Sequence, residues 1–438
     1  MGHPYESPEI SAAPQRRSDP HESLIQPADR KNDRLIPVDL AIQEGMRLRL
    51  PVEVETVDLQ DASGRVLAQP LTASTPLPRF DHSAMDGYAV NVDDLNGFLP
   101  ARLRVIGRVV ASRAKKEITL YAGTAIRILT GAPIPPGANT VIAQEEIRHE
   151  GDTIVISRLP QRGENIRLRG EDVQAGATLI ARGSLMDPRA MGVTASAGLA
   201  QIEVFRKLRV AIFSTGSELR QPGETIAFGE IYNSNRYILR GLLDKAWISV
   251  VDLGSCHDDP KALSARMRDA IANADVVITT GGVSVGDEDH MADVVRQCDG
   301  AIVVSGVAIK PGKPLTLGRV GQAAYIGLPG NPGAVFTTFC AVVEGLLRTW
   351  AGLKRPIEPA SPAIANFVWL SHPGRSTYLP AVLTGYSANG APIVDLLPKA
   401  NSGKLALLSR AEGFVVIGPH RGDIKRGDAV EWFPLRKH

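Results

Sequence analysis

The sequence predicts a multidomain α/β plus β protein with a doubly wound parallel-sheet domain, an N-terminal mixed linker domain carrying an inserted β-module, and a C-terminal β-barrel-like domain. The first indication is a set of continuous apolar runs, among them LRVAIFS (208–214) and DVVITTGG (275–282), that alternate with helical patterns. Strands buried on both faces of a parallel sheet have this texture. The second is the presence of short strand-like runs separated by Gly and Pro turns on both sides of that region.

The chain before the sheet domain divides into a tail and two further parts. Residues 1–36 are rich in Pro, Ser and charged residues, so we expect a disordered tail. Order is expected from residue 37, where Asp39 would cap a short helix and residues 52–59 alternate like a half-buried strand. The predicted boundaries are 37–77 with 166–205 for the linker domain, 78–165 for the β-module, 206–355 for the doubly wound domain and 356–438 for the C-terminal β domain.

One helix of the doubly wound domain is well marked in the sequence. Asp259 is a natural N-cap residue, and Pro260 suits the first helical position. Leu263, Met267 and Ile271 then fall on one face at helical spacing. A strand, this helix and a further strand follow one another, as the crossover connections of a parallel sheet require.

The composition argues against several classes of function. The chain has 438 residues, of which 49 are basic and 47 acidic, and the net charge of +2 gives no reason to expect nucleic acid or an anionic membrane as the main partner. Three widely spaced cysteines without a C-x-x-C pair argue against a disulfide framework or a structural zinc site. Because no secretory signal or bilayer-spanning apolar run is present, we expect a soluble, cytoplasmic protein.

Polar and glycine-rich residues follow four of the predicted strands. Ligands of open parallel sheets bind beyond the carboxyl ends of the strands, so these loops are expected to meet at one edge. Glycines would let a phosphate approach, lysines and helix N-termini would attract it, and carboxylates would bind Mg²⁺. Taken singly, each loop is also what a plain tight turn requires. The segments are 214–218, 257–259, 281–289 and 328–332, with Lys310 and Lys313 between the last two.

Known nucleotide and hydrolase motifs fit this region less well. Residues 306–314 make a poor phosphate-binding loop, because a proline instead of Ser or Thr follows the lysine. Residues 282–286 satisfy G-x-S-x-G, with Ser284 as the nucleophile of a hydrolase. Asp287 and Asp289 follow directly, however, and their negative charge would oppose an oxyanion. A phosphorylated or nucleotidyl substrate is the better prediction, with the hydrolase as an alternative.

Longer motifs occur in a fixed order from about residue 37 to the C-terminus. They are FDHSAMDGYAV (80–90), RILTGAPIP (127–135), NIRLRGEDV (165–173), FSTGSEL (213–219), TTGGVSVGDED (279–289), IKPGKPL (309–315) and GLPGNP (327–332). On these motifs the chain closely resembles the molybdopterin molybdenumtransferases of molybdenum-cofactor biosynthesis, which are relatives of the gephyrin E domain.

The resemblance implies an activity and an assembly. Enzymes of this family take adenylylated molybdopterin and molybdate, hydrolyse the adenylate with Mg²⁺, release AMP and insert molybdenum into the pterin dithiolene. They are usually homodimers of four-domain subunits, in which the doubly wound, molybdopterin-binding domain of one subunit faces the β-module of its partner. We therefore expect a homodimer with a shared active site and no nucleic-acid or membrane partner. Contact with other cofactor-synthesis proteins is a further expectation.

The same resemblance assigns roles to individual residues. The expected catalytic residues are Glu218, Asp287, Asp289, Asp86 and Asp172. Mg²⁺ is expected on Asp258, Asp287, Asp289 and Glu218. The expected molybdate contacts are Lys310, Lys313, Arg375 and Ser402. The pterin phosphate and adenylate are expected on Ser214, Thr215, Gly216, Asn235, Gly281, Gly282, Val283, Ser284, Pro329, Gly330, Asn331, Pro332 and Thr130.

Two departures from the family pattern concern the molybdate pocket. Where the family has LPGNPVS, this chain places Ala334 at the serine, and Pro380 replaces the second arginine of G-R-x-x-F-x-R. They favour, as an alternative, a non-catalytic pterin-binding paralogue or scaffold. The other alternative, a molybdopterin adenylyltransferase, would carry TGGTG where this chain reads TGGVS (280–284), and would be much shorter. The sequence does not distinguish molybdate from tungstate as the preferred oxyanion.

Overall fold

The computed structural model describes residues 35–48, 52–95, 97, 99–112, 118–282, 290–354, 360–397 and 404–435. Packing divides the chain into two compact units: residues 53–206 with 352–354, here the β-module unit, and residues 1–52, 207–351 and 355–438, here the sheet-and-barrel unit. The helices of the described residues are α1 (Val38–Arg47), α2 (Pro188–Ser196), α3 (Ser234–Leu242), α4 (Pro260–Asn273), α5 (Met291–Gln297), α6 (Pro332–Thr338), α7 (Glu344–Trp350) and α8 (Leu405–Leu408).

The β-module unit is built around a six-stranded sheet in the order β7-β4-β6-β5-β9-β8. Its apolar residues alternate along β4, where Tyr88 and Val90 enter one core and Ala89 the other, so both faces of the sheet are covered. The strands are β1 (Val54–Asp58), β2 (Leu71–Thr72), β3 (His82–Ser83), β4 (Gly87–Val90), β5 (Ala101–Val109), β6 (Thr124–Ile128), β7 (Thr140–Ala143), β8 (Ile147–Glu150), β9 (Thr153–Ile156), β10 (Ile166–Arg167), β11 (Thr178–Ile180) and β12 (Gln201–Phe205).

Short antiparallel pairs join the chain before this sheet to the chain after it. They are β1 with β12, β2 with β11 and β3 with β10. The strand expected at 52–59 forms as β1, but the predicted half-buried alternation is wrong, because four of its five residues are exposed and Val54 is 48% exposed. In a two-stranded ribbon only Val57 of β1 reaches the local core.

The sheet-and-barrel unit contains a second six-stranded sheet, in the order β16-β13-β17-β21-β20-β18. The first four strands are parallel, which confirms the doubly wound prediction, but β20 runs antiparallel to both of its neighbours. A tight turn at Gly321 (φ +55°) connects β20 to β21, and such a turn can join only antiparallel strands. The strands of this part of the chain, including β14, β15 and β19 outside the sheet, are β13 (Leu208–Thr215), β14 (Leu219–Arg220), β15 (Ile231–Tyr232), β16 (Ile248–Cys256), β17 (Val276–Thr280), β18 (Gly300–Ser305), β19 (Ile309–Lys310), β20 (Thr316–Val320) and β21 (Ala323–Leu328).

Helices cover this sheet in two layers. α4 and α5 pack together over a core that includes Phe213, Met267 and Tyr325. α3 and α6 pack against each other and on β13 and β21. Asp259 caps α4 as predicted, with its carboxylate accepting from Ala262 N at 2.8 Å.

Helix α1 is confirmed, but its capping residue and its packing differ from expectation. Pro37 occupies the N-cap without a side-chain bond, and Asp39 lies in the first turn, so the predicted Asp39 cap is wrong. The buried positions Val38, Ala41 and Gly45 form one stripe, along which α1 packs on α7, β18 and β20. A Cβ added at Gly45 would lie 2.7 Å from Leu346 Cδ1, so a larger residue there would have to displace that leucine side chain. The structure thus groups α1 with the doubly wound sheet, and the predicted linker domain had included it.

The C-terminal region forms a closed barrel. Its strands follow the order β23-β24-β22-β26-β25, and a further pairing of β23 with β25 closes the ring. Val394, Val415 and Trp432 are buried inside it. Outside the ring, β19 pairs in parallel with the start of β23. The barrel strands are β22 (Ser361–Ala365), β23 (Ser376–Tyr386), β24 (Pro392–Leu396), β25 (Gly413–Ile417) and β26 (Ala429–Pro434).

Candidate functional site

The order of the parallel strands creates a crevice at one edge of the doubly wound sheet. The chain passes from β13 outward to β16 and then returns past β13 to β17, so the connections after β13 and after β17 diverge. In this class of fold the crevice beyond such neighbouring strand ends is where ligands bind. Ser214 and Thr280 are paired at this point of the sheet. The chain therefore offers a ligand site between these two strand ends.

A cavity of about 390 Å³ opens at this crevice. Its volume is in the range of small-molecule sites. It brings together ten of the predicted residues: Thr215, Gly216, Glu218, Asn235, Asp258, Gly281, Gly282, Pro329, Gly330 and Pro332. The remaining lining residues carry no role predicted from the sequence; they are Leu219, Ile231, Tyr232, Asn233, Ser234, Thr280 and Pro314.

A chain of buried hydrogen bonds forms the floor of the cavity. Thr280 Oγ1 donates to Ser214 Oγ at 2.9 Å, and Ser214 Oγ donates to Asn233 Oδ1 at 3.3 Å. Asn233 also caps α3 by accepting from Arg236 N, and its Nδ2 donates to Ser255 Oγ at 3.0 Å. The predicted Ser214 therefore lies beneath the cavity as a support, not in its lining.

Two buried oxygen atoms at the cavity have no hydrogen-bond partner among the described residues, namely Thr215 Oγ1 and Asn235 Oδ1. Asn235 Nδ2 donates to Gly330 O at 2.7 Å, which ties α3 to the loop after β21. A buried polar atom without a partner is costly, so such atoms in a cavity are natural contacts for a ligand.

Glycines let the loops beside the cavity approach each other closely. Gly281 has φ +88°, and a Cβ added to it would lie 2.5 Å from Thr215 O and 2.9 Å from Thr215 Oγ1. Gly281 N donates to Leu328 O and Gly216 N donates to Cys256 O, so these two amides are used within the protein. These glycines therefore serve the close packing of the loops, and their two amides bond to the protein and not to a phosphate.

The cavity carries two carboxylates in its described part. Glu218 is exposed and Asp258 half-buried. Ser217 N donates to Asp258 Oδ2 at 3.2 Å, which fixes the position of that side chain. Within the described ranges, no cluster of three or more His, Cys, Asp or Glu residues is placed to bind a metal. The other two predicted ligands, Asp287 and Asp289, lie outside the described residues, as do Val283 and Ser284.

Comparison with known proteins gives the family. Models of the MoeA N-terminal region (domain I and II), a probable molybdopterin binding domain and the MoeA C-terminal region (domain IV) match residues 36–198, 211–349 and 362–435. A molybdopterin molybdenumtransferase from Nostoc sp. is 36% identical over 384 residues, covering 84% of this chain and 87% of the relative. One from Haemophilus influenzae is 34% identical over 391 residues, covering 89% and 96%. The chain belongs to the molybdopterin molybdenumtransferase family.

A solved structure agrees with this membership. The molybdopterin biosynthesis moeA protein from Pyrococcus horikoshii OT3 superposes with a TM-score of 0.77 at 29% identity, covering 92% of this chain and all of that one. The resemblance stated from the motifs is thereby confirmed at the level of the family. In the part of the chain that the structure describes, no helix has the length and apolar character needed to cross a membrane.

The basic residues expected to contact molybdate lie where the sheet meets the barrel. Lys310 of β19 pairs with Thr377 of β23. Arg375 lies two residues before Thr377 in the chain. Lys310 and Arg375 are half-buried, and Lys313 is exposed. Ser402 lies outside the described residues.

The turn between Lys310 and Lys313 packs tightly on helix α6. Gly312 has φ +120°, and a Cβ added to it would lie 2.1 Å from Thr338 Cγ2. Thr338 Oγ1 donates to Ala334 O at 2.7 Å, and Ala334 is buried, so the residue that departs from the family pattern belongs to the same layer.

The remaining predicted residues belong to the β-module unit. Asp86 Oδ1 accepts from Thr130 N at 2.8 Å and from Thr130 Oγ1 at 2.7 Å, so the structure brings these two together. These bonds, the backbone one first, hold the pKa of Asp86 below its usual range, and the charges of Arg127 and Arg108 act in the same direction. Asp172 is exposed, and its backbone N donates to Leu77 O.

Proposed function

We propose that this protein inserts molybdenum into molybdopterin, using molybdate and adenylylated molybdopterin as substrates and releasing AMP. The observation that carries the proposal is the cavity at the diverging ends of β13 and β17, where Glu218 and Asp258 stand beside the glycine loops. A phosphate-bearing ligand suits this place in the fold. The names of the relatives point to the same activity.

The donor set of the cavity fits a hard divalent cation, because carboxylate oxygens are the ligands that Mg²⁺ prefers. We propose that Glu218 and Asp258 hold Mg²⁺ together with Asp287 and Asp289. When bound, the ion would neutralise charge developing on the phosphate oxygens. In hydrolysis of the adenylate, a water oxygen attacks phosphorus and one P–O bond of the anhydride breaks. A carboxylate accepts the proton of that water, and AMP and molybdopterin are released from each other.

Basic residues supply the charge that molybdate requires. We propose that Lys310 and Arg375, brought together by the pairing of β19 with β23, bind the dianion with Lys313 and Ser402. Thr215 Oγ1 would donate a hydrogen bond to the substrate or accept one from it, and Asn235 Oδ1 would accept one. We further propose a homodimer whose active sites include Asp86, Thr130 and Asp172 of the partner subunit. The free cysteines Cys256, Cys298 and Cys340 fit a reducing compartment such as the cytoplasm.

The test is AMP release from adenylylated molybdopterin with Mg²⁺ and varied molybdate. We expect molybdate-dependent release, lowered at least about 100-fold by Glu218→Gln or Asp258→Asn, since each removes a charge at the reacting phosphate. Asp244→Asn, an exposed carboxylate outside the cavity lining, is the matched control and should leave the rate unchanged.

A non-catalytic, pterin-binding scaffold is the second candidate, and Ala334 favours it. This buried position on α6 offers no hydroxyl to an oxyanion near the Lys310–Lys313 turn. If the adenylate binds but no AMP appears with either molybdate or tungstate, the scaffold reading is correct. Ala334→Ser would then be the first reversion to test.

A further inference from the structure

The cavity has two chemically different kinds of lining. One part consists of Thr215 and the loop glycines, which offer backbone atoms and a hydroxyl group. The other part is apolar and consists of Leu219, Ile231 and Tyr232. A site that held only phosphate or molybdate would need charge and hydrogen-bond donors, but no aromatic ring. The second lining therefore requires a separate explanation.

Tyr232 is held in place by its own loop. The residue pairs with Arg220 across β14 and β15, and its hydroxyl donates to Glu224 O at 2.8 Å. The side chain is nevertheless exposed, at 44% for Tyr232 and 54% for its neighbour Ile231. Because the hydroxyl is already used within the loop, the face of the ring is the part that remains for a ligand.

The loop from residue 221 to residue 230 is braced from within. Gln221 N donates to Glu224 Oε2 and Ala227 N donates to Glu230 Oε2, each at 2.7 Å. Glu230 also forms an ion pair with Arg220. A ring fixed before binding loses little conformational entropy when a ligand stacks on it. This loop thus presents Tyr232 as a rigid surface.

Polar atoms at the same cavity complement a nitrogen heterocycle. Asn235 Oδ1 is an acceptor that no described residue satisfies, and Thr215 Oγ1 is likewise unpartnered within the described ranges. Planar heterocycles such as pterin and adenine carry amino N–H donors at their edge and a π-face for stacking.

We propose that Tyr232 is the ring-binding residue of this cavity, stacking on a planar nitrogen heterocycle while Asn235 accepts a hydrogen bond from its edge. The inference rests on the proposed function, since the adenylylated substrate contains two such rings, the pterin and the adenine. The shared chemistry is the fused heterocycle, and the experiment separates the two sources.

The test compares ligands with and without the ring on the full-length protein. The probes are AMP, ribose 5-phosphate as its ringless counterpart, and 6-hydroxymethylpterin, with binding measured by calorimetry and by pterin fluorescence. We expect Tyr232→Leu to weaken binding of AMP, of the pterin, or of both by about 5- to 150-fold. Ribose 5-phosphate binding should not change. Tyr232→Phe keeps the ring and should remain within about threefold of wild type, as should the control Tyr237→Leu, an exposed tyrosine of α3 outside the cavity lining.

The outcomes are distinct from those of the transferase assay. A loss confined to AMP assigns the adenine to Tyr232, and a loss confined to the pterin assigns the pterin. Unchanged binding of both rings in Tyr232→Leu would overturn the proposal, and so would an equal loss of ribose 5-phosphate. A wild-type protein that binds the rings but releases no AMP would refute the proposed activity while leaving the ring surface intact.

Discussion

At the scale of single residues, Thr215 carries a buried hydroxyl for which the described residues provide no hydrogen-bond partner. We predict that Thr215→Val, which keeps the shape and removes the oxygen, leaves the free energy of unfolding unchanged or raises it by up to about 1 kcal/mol. The same change should weaken AMP binding, because the ligand loses its hydrogen bond. Denaturant unfolding and calorimetry measure the two effects.

The matched control is Thr279→Val, one strand away. Thr279 Oγ1 and Tyr325 OH share a buried hydrogen bond of 3.0 Å, so this substitution should destabilise the fold by about 1 kcal/mol. Equal destabilisation by both variants would show that Thr215 Oγ1 has a protein partner after all.

Asp86 yields a prediction about pH. Its pKa is lowered in the folded chain, so its bonds to Thr130 stabilise the fold at pH values above the ordinary carboxyl pKa, and that contribution is lost as the pH falls through the lowered pKa. We expect an NMR titration to find the pKa of Asp86 below 3.8, and Thr130→Val to move it back towards that ordinary value. A titration unaffected by Thr130→Val would contradict the assignment of the cause.

The cavity-lining residues that could be predicted from the sequence differ in chemical type from those that could not. Glu218, Asp258 and Gly281 could be predicted, because charge and glycine directly after a strand have few structural uses. Tyr232 could not, since it lies in a two-residue strand after a long loop, and so short an element gives no periodic signal. The Asn233-Ser234 pair at the start of α3 was readable as a helix cap and would have located the end of that loop.

At the scale of elements, the turn after β17 depends on one glycine. Gly281 has φ +88° with Thr215 O close behind it, so Gly281→Ala combines backbone strain with a clash. We expect a loss of about 1–3 kcal/mol in the free energy of unfolding. Gly241→Ala is the control, because Gly241 lies within α3 with open space around it, and alanine there should stabilise by about 0.5–1 kcal/mol. Thermal unfolding of both variants measures the two effects. If the melting temperatures of Gly281→Ala and Gly241→Ala shifted in the same direction, the proposed role of Gly281 in the turn would be wrong.

The local sequence pattern predicted which segments form strands or helices. It did not predict which strands pair with one another. The apolar runs at 208–214 and 275–282 became β13 and β17 because strands buried on both faces must be apolar throughout. The reversed direction of β20 could not be predicted, because it depends on which neighbour the strand meets. The predicted cap at Asp39 was wrong because α1 begins two residues earlier than the pattern indicated, with Pro37 at the N-cap.

At the scale of the whole molecule, the described cavity lining comes from residues 215–332 of the sheet-and-barrel unit, whereas Asp86 belongs to the β-module unit. We predict that Asp86→Asn leaves AMP affinity within about twofold of wild type, because no lining residue changes. If Asp86 acts in the shared active site, kcat for AMP release should fall at least about tenfold in the same variant. Calorimetry and steady-state kinetics separate the two, and a parallel loss of affinity would show that Asp86 shapes the cavity.

The closure of the barrel and the grouping of α1 with the doubly wound sheet were also beyond sequence reasoning. Both depend on contacts between segments far apart in the chain, such as β23 with β25, for which a single sequence carries no record. The predicted boundaries at residues 77 and 165 remain predictions.

The cavity is lined mainly by strand ends and by the loops that follow them. Its ligand contacts can therefore be rewritten without altering a buried strand, and the fold can be inherited while its chemistry drifts. A change of ligand preference made at the exposed positions of this lining, such as Glu218 and Tyr232, would therefore leave the stability of the sheet almost unchanged.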